Sequence, residues 1–592
     1  MRGPAPSFLL WIGIGLVAAG SVTAQENANG AVRNPSLSDD GRFVAFDTRA
    51  TNLIAGSGLL QDNVGFFDRE TRVIYNAQRS GPKTYWGAAL FPQMSNDGEW
   101  MTFQSGNFFL PDRISTDIYV CAVRSQTLGI APPSRFRRIS RNAAWEPGND
   151  VSNYPTISAN GRFIAYMSKA SNLTDDLVPD GVTQIYRHDR DADENGLFDE
   201  DGAGATRTVL VSQVDGVPGD ADSTFPTISA DGSRILFVTK ATNFPTKYSS
   251  TMIWIAGTIS ATTGSRRGIS PEGTLTLTRS AIYPAGDPTA NGARYRYRNW
   301  ETLELVGFPD YGAGNIASSG AASVLNATTH PIPPVTDSEV RHVYLFDRVH
   351  QRTVLLSQGP NGPGNDDSGP SDDNDAYLDL SRDGRFAAFV TRADNLGFED
   401  TNNTFDVIIR DLQTGEADRV ERDSTPPDWP NPGFAVSQVT DQTALFSWNP
   451  ASDRGGVRWY RIDLEPTLSR SSGPATRFQV TGLHPGTTYT AEIFAIDPSG
   501  NETSGGTVSF PTQPDSGAHP GFAITGFSIS PQSIDVSFRS EAGRRYRLES
   551  SANGRDWVPL KIGIESGGGF TSDSVDTPEV IDTALLLRLV EE

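Results

Sequence analysis

The chain has 592 residues and a formal charge of −22, set by 71 acidic against 49 basic side chains. An acidity of this size argues against nucleic acid and anionic membrane surfaces as partners, because both are bound through clustered Lys and Arg. With 37% hydrophobic and 20% charged residues the composition is that of a folded globular chain rather than a disordered or coiled-coil one, and 58 Gly with 39 Pro points to many turns.

At the N-terminus, Arg2, the apolar run from Phe8 to Ala19 and the small residues Val22-Thr23-Ala24 read as a secretory signal over residues 1–24. The run is too short for a membrane span, which needs about 20 apolar residues, and no other segment approaches that length. The mature protein is therefore expected to be exported, either periplasmic or extracellular. Its single cysteine, Cys121, lies in the apolar stretch from Ile118 to Val123 and reads as core filler, so disulfides and multi-cysteine metal sites are excluded.

Residues 30–422 repeat one hairpin: NPSLSDDGRFVAF from Asn34, FPQMSNDGEWMTF from Phe91, YPTISANGRFIAY from Tyr154, FPTISADGSRILF from Phe225 and YLDLSRDGRFAAF from Tyr377, with a degenerate copy at Asn315. Each is a short strand, an Asp-Gly or Asn-Gly turn needing positive φ, and a second strand rich in β-branched and aromatic residues. The turn glycines Gly41, Gly98, Gly161, Gly232, Gly320 and Gly384 fall 57 to 88 residues apart, room for four strands per repeat. Behind the hairpin come a basic-Ala-x-Asn-Leu segment (Arg49 to Leu53, Lys169 to Leu173, Lys240 to Phe244, Arg392 to Leu396) and two further strands.

The repeat resembles the WD-like β-propeller repeat of the TolB type. The resemblance implies an all-β fold with six radially packed blades, or seven if the long interval between Gly232 and Gly320 holds another around Tyr283 to Tyr297. Propellers of this kind serve as binding platforms, accessory domains and enzymes, so the repeat identifies a fold and no activity.

Within the third repeat, the stretch from His188 has the spacing of a calcium loop: Asp191, Asp193 and Asn195 at alternate positions, Gly196 at the sharp turn, Leu197 offering a carbonyl, and Asp199. These residues resemble the loops of EF-hands and thrombospondin-type repeats, except that Gly202 stands where a bidentate acid belongs. The expectation is a structural calcium ion. The acidic stretch from Gly364 lacks ligand spacing and reads as a solvated loop.

At Asp423 the pattern changes. DSTPPDWPNPG reads as a stiff linker. Trp448, Tyr460 and GLHPGTTYTAEIFAIDPSGN from Gly482 resemble a fibronectin type III domain over 424–513, a β-sandwich in which Tyr489 is implied as the corner tyrosine bonded to nearby backbone. Residues 521–592, with Gly543, Tyr546, Leu548, Ser551 and Trp557, resemble the small β-sandwich modules that end large secreted bacterial proteins.

No catalytic residue is identified. There is no Gly-x-Ser-x-Gly elbow, and the six histidines form no His-x-His or HExxH arrangement. The expected function is that of a monomeric, non-catalytic binding or scaffold protein of the cell envelope or exterior, presenting the propeller face to a protein or polysaccharide. The alternative is a secreted carbohydrate-active hydrolase with a fibronectin type III accessory module, which requires a cleft acid with a raised pKa.

Overall fold

The computed structural model describes residues 27–591 apart from interruptions, of which the longer fall at 78–87, 107–115, 125–135, 283–291, 328–339, 515–523 and 577–585. The expected signal at 1–24 lies outside the described residues, as do Tyr377 and Trp557. Among the described residues no helix is long and apolar enough to cross a membrane. The chain divides into two units between Arg422 and Asp423.

The first unit is built of four-stranded antiparallel sheets, each continuous in sequence. Sheet 1 comprises Val32–Leu37, Phe43–Thr48, Asn63–Asp68 and Val73–Asn76; sheet 2, Ala89–Met94, Trp100–Gly106, Thr116–Ala122 and Phe136–Arg138; sheet 3, Ser152–Ile157, Phe163–Ser168, Gln184–Asp189 and Arg207–Leu210. Sheet 4 comprises Ser223–Ile228, Arg234–Thr239, Thr251–Ile255 and Thr258–Ala261; sheet 5, Ser265–Ile269, Leu275–Ile282, Gly292–Asn299 and Leu305–Gly307. Sheet 6 comprises Ile316–Ser318, Ala322–Ala327, His342–Asp347 and Arg352–Leu355; sheet 7, Leu378–Leu380, Phe386–Thr391, Asp406–Asp411 and Ala417–Arg419.

The described residues thus hold seven such sheets in this unit, the larger of the two numbers expected. The additional one is sheet 5, which occupies the long interval after Gly232. It carries no Ser-x-Asp-Gly signature, and its third strand, Gly292–Asn299, falls in the interval around Tyr283 to Tyr297. The first strands are neighbours in ring order from sheet 1 through sheet 7, and the first strand of sheet 7 lies against that of sheet 1. The apolar cores sit between consecutive sheets. Phe43, Phe66, Met101 and Phe103 fill the space between sheets 1 and 2, while Phe46, Phe67, Phe386 and Val407 fill that between sheets 1 and 7.

The repeated motif is explained by this stacking. The serine Oγ accepts the N–H five residues on, as in Ser38 to Phe43 (3.0 Å), Ser158 to Phe163 (2.9 Å) and Ser381 to Phe386 (2.9 Å). The Asp or Asn two residues after it accepts the Ser hydroxyl and an N–H beyond the glycine, closing the turn. The following arginine bridges to the aspartate ending the third strand: Arg42 to Asp68 (2.8 Å), Arg162 to Asp189 (2.8 Å) and Arg385 to Asp411 (2.8 Å). Four turn glycines lie against the aromatic ring that follows the turn of the preceding sheet: Gly98 on Phe43, Gly161 on Trp100, Gly232 on Phe163 and, across the ends of the unit, Gly41 on Phe386. A Cβ on Gly161 would meet Trp100 Cδ1 at 2.4 Å, and φ there is +78°. The asparagines of the Ala-x-Asn-Leu segments clamp the chain entering each sheet. Asn172, for example, accepts the N–H of Asn149 (2.7 Å) and donates to the Pro147 carbonyl (3.0 Å).

A buried ion cluster joins sheets 1 and 7. Arg72 binds Asp418 (2.6 Å) and Glu421 (2.8 Å), Glu421 also binds Arg419 (2.8 Å), Arg419 lies 3.5 Å from Asp406, and Arg69 reaches Asp418 (3.2 Å). Three cations meet three anions, so the burial is neutral overall.

In the second unit, sheets Ala435–Ser437, Thr443–Ser447, Arg477–Thr481 and Leu468–Ser471, Trp459–Glu465, Thr488–Ile496, Glu502–Pro511 enclose Trp448, Tyr460, Ile462, Leu483 and Tyr489. The Tyr489 hydroxyl accepts the N–H of His484 at 2.9 Å, the corner bond implied by the sequence resemblance. The stretch read as a linker belongs to this unit instead: Trp429 is buried in its core, donates to the Asn449 carbonyl (2.9 Å), and lies over Gly505. Two further three-stranded sheets, Ile524–Ile529, Ser533–Ser540, Gly569–Asp576 and Val558–Glu565, Arg545–Ser551, Leu586–Glu591, follow, with Phe538, Tyr546 and Leu548 buried.

Candidate functional site

The stretch expected as a calcium loop is closed by its own hydrogen bonds. Asp199 is buried and its Oδ2 accepts Nε (3.0 Å) and Nη2 (2.6 Å) of the fully buried Arg190, which already supplies a cation; its Oδ1 has no hydrogen-bond partner. The Asp191 carboxylate accepts the N–H groups of Asn195 (3.0 Å) and Gly196 (3.2 Å). Asp193 and Asn195 are exposed and bonded to each other (3.1 Å), and Leu197 is exposed. The structure therefore ties Asp191 and Asp199 to loop-closing donors and leaves Asp193 in solvent.

The acidic side chains that do converge, among the described residues, are Asp423, Asp453 and Asp497 of the second unit, with oxygens within 4.8 Å of one another. Asp423 and Asp497 are buried and Asp453 is half-buried. Asn501 fixes the group by donating its N–H (2.9 Å) and Nδ2 (2.8 Å) to the two Asp497 oxygens and Nδ2 to the Asp423 carbonyl (3.0 Å). Burial first, then the neighbouring charges of Asp423 and Asp497, hold the Asp453 carboxyl above the usual carboxylate range. Hard oxygen ligands of this type are those a divalent cation takes. The sequence signal was available, since each acid opens a Pro- or Gly-containing loop, but the three lie far apart along the chain.

A second arrangement lies on the first strands of sheets 1 to 4. Each breaks register with its neighbour, between Arg33 and Ser36, Leu90 and Gln93, Asn153 and Thr156, and Thr224 and Thr227. The displaced pairs are Asn34-Pro35, Phe91-Pro92, Tyr154-Pro155 and Phe225-Pro226. The first residue of each has positive φ: 52°, 53°, 50° and 53°. Proline suits a bulge because it offers no N–H to the ladder. Positive φ on aromatic residues costs energy, about 1 to 3 kcal/mol each, and here it recurs at one position of successive repeats.

The result is a continuous aromatic surface. The Phe91 and Tyr154 rings stack at 4.4 Å and 28°, and Tyr154 meets Phe225 edge-on at 5.1 Å and 79°. Phe225 is 43% exposed and the other two are half-buried. The strained N–H groups are held by the preceding sheet: that of Phe91 donates to Asp47 (3.3 Å) and that of Tyr154 to Gln104 (2.9 Å). Neutral groups lie near it, with Thr116 donating to Asn153 (2.5 Å). Beside it on sheet 1 the charges are paired. Arg33 bonds Asp62 (2.5 Å) and lies 3.5 Å from Asp47, and Arg49 bonds Asp62 (2.9 Å). Burial pushes the Asp47 carboxyl up to about 6, against the opposing pull of Arg33 and the Asn34 and Phe91 donors. Sequence reading took these aromatics as hairpin consensus. The x-Pro pair preceding each Ser-x-Asp-Gly was the signal that could have marked the bulge.

The other end of the same strands carries the tight turns. Asp39 accepts from Asn96 Nδ2 (2.7 Å) and the Arg382 N–H (2.9 Å), and a cavity of about 360 Å³ opens among Asp39, Asp40, Asn96, Asp97, Asn160 and Arg382.

Residues 426–510 match the fibronectin type III domain family. Over 99 residues the chain is 33% identical to chitinase Chi52 of Paenibacillus xylanexedens, and over 89 residues 35% identical to chitinase D of Niallia circulans. These matches cover 17% and 15% of this chain, fall only in the fibronectin type III region, and span 18% and 17% of the chitinases. Among solved structures, an oligogalacturonate lyase from Vibrio parahaemolyticus aligns at TM-score 0.36 and 11% identity over 64% of this chain and 91% of that one. The putative TolB from Agrobacterium tumefaciens aligns at 0.26 and 12% over 55% and 80%. Scores this low carry no weight for activity. Residues 426–510 are a fibronectin type III domain.

Proposed function

We propose that the chain is an exported, non-catalytic binding protein in which a seven-bladed β-propeller offers the face around Phe91, Tyr154 and Phe225 to a macromolecular partner, with the fibronectin type III domain as an accessory module. The observation that carries this reading is the contrast within the repeat. The Ser, Asp or Asn, and Gly of the turns, the Arg of the copies that have one, and the clamp asparagines are consumed in turns, bridges and clamps, whereas the strained aromatic position holds three adjoining rings, one of them well exposed. Strain held at one site of successive repeats is a mark of function. Export rests on the leader-like N-terminus and on the company that this fibronectin type III sequence keeps in chitinases.

The hydrolase reading has raised carboxyls in its favour, Asp47 beside Asp62 foremost, with Asp379 and Asp406 also pushed up to about 6 by burial. Against it, Asp47 is fully buried, and its Oδ2 is taken by Phe91 and Asn34. The deciding experiment incubates the full mature chain with soluble polysaccharides and casein and follows both retention and reducing ends or new peptides. Retention without cleavage is expected. Turnover that disappears in Asp47→Asn would replace binding with catalysis.

A further inference from the structure

We infer that the aromatic surface formed by Phe91, Tyr154 and Phe225 is a glycan site, taking the pyranose rings of an uncharged polysaccharide. The inference rests on the binding-protein reading above and deepens it.

Three features select the occupant. First, the rings come from adjoining strands of sheets 2, 3 and 4, and they touch at 4.4 Å and 5.1 Å, one pair stacked and the other edge-on. They therefore present a stepped apolar surface rather than one flat plate. A pyranose has an apolar face of axial C–H bonds and an equatorial rim of hydroxyls, so consecutive rings of a glycan can lie on such steps, each burying one face. Second, the polar groups on and next to these strands include amides and hydroxyls: Asn153, bonded to Thr116 of the third strand of sheet 2, Gln104 of its second strand, bonded to the Tyr154 N–H, and half-buried Thr224 and Thr227. Such groups both donate and accept, as sugar hydroxyls do. Third, the charges nearby are matched internally. Arg33 and Arg49 are engaged by Asp47 and Asp62, two cations against two anions, so this side offers no surplus charge to a uronate, a phosphate or an ionic peptide. An uncharged occupant is complementary to a surface so balanced, since an anionic one would also meet the field of a chain carrying −22.

The backbone geometry adds precision. All three aromatic Cα positions are set by bulges, and those of Phe91 and Tyr154 also by N–H bonds donated to the preceding sheet, so the backbone that carries the rings is ordered before any ligand arrives.

The test uses the full mature chain in affinity electrophoresis and calorimetry with amylose, xylan, mixed-linkage β-glucan and chitin hexamer as neutral probes, polygalacturonate as an anionic one and a Pro-rich peptide as a non-glycan. Saturable binding of at least one neutral glycan is expected, weakened at least tenfold by Phe225→Ala and by Tyr154→Ala. Ile562→Ala, which removes an exposed apolar side chain of the second unit, should leave it unchanged, and melting curves of all variants establish that they fold. If no neutral glycan binds, or if neither aromatic change weakens binding, the inference is overturned. If polygalacturonate or the peptide binds in an aromatic-dependent way while every neutral glycan fails, the glycan assignment falls and the binding-protein reading stands. Cleavage of a probe would overturn that reading instead.

Discussion

At the residue scale, glycines with the same backbone need have different packing costs. Gly161 and Gly216 have φ of +78° and +77°, but a Cβ at the first would meet the Trp100 ring, while nothing lies within 4 Å of the second. Gly216→Ala should cost about 1 kcal/mol for its backbone alone, and Gly161→Ala about 2 to 4 kcal/mol once overpacking is added. Urea titration of the two variants compares them directly, and equal midpoints would refute the packing account. Asp47 gives a pH dependence with a definite sign. Its folded pKa of about 6 lies above the unfolded value near 3.9, so its stabilising contribution is fully present below the unfolded value and fades as pH rises through about 6. Asp47→Asn should flatten the stability profile between about pH 4 and 6; an unchanged slope there would mean the carboxyl is not the titrating group. The turn chemistry of the repeat was legible because Asp-Gly dictates its own conformation. The buried acid was not, because its shifted titration comes from surroundings assembled by folding.

At the scale of the element, strand pairs in register follow from alternation and turn type, and the sequence signalled them for sheets 1 to 4 and 7 and, through the degenerate copy at Asn315, for sheet 6. Sheet 5 was foreseen only as an alternative, from the long interval around Tyr283 to Tyr297, because its first hairpin lacks the Ser-x-Asp-Gly turn, and the bulges escaped because the x-Pro pair was absorbed into a strand. The linker was misread for a related reason. Its prolines indicated stiffness, but Trp429 among them supplies core volume to the sandwich. The Asn clamps and the tyrosine corner are local devices whose loss should be felt by one element. Tyr489→Phe removes the hydroxyl that accepts the His484 N–H and should destabilise the fibronectin type III transition by about 1 to 2 kcal/mol. Calorimetry of the full chain reads that transition, and a loss smaller than a few tenths of a kcal/mol would show the bond to be dispensable.

At the scale of the whole first unit, the ends of a chain of seven sheets are joined by packing and charge. Arg72→Met leaves Glu421 and Asp418 short of a partner in a buried place and should cost about 3 to 5 kcal/mol, while adding Glu421→Gln should restore part of the loss. Additive losses in the double variant would show that the two groups do not act together. Because the cluster is buried, moderate salt should change its contribution little. Among the described residues, no four-stranded sheet of this unit borrows a strand from the other end of the chain. Each can therefore complete itself in the order in which it is synthesised, from contacts that are close along the chain. The exception is the seam between sheets 1 and 7, where Arg72 must find Glu421 from 349 residues away. Formation of that seam is then the last event in assembling this unit, and a nascent chain passes through an open arc that closes only when sheet 7 arrives.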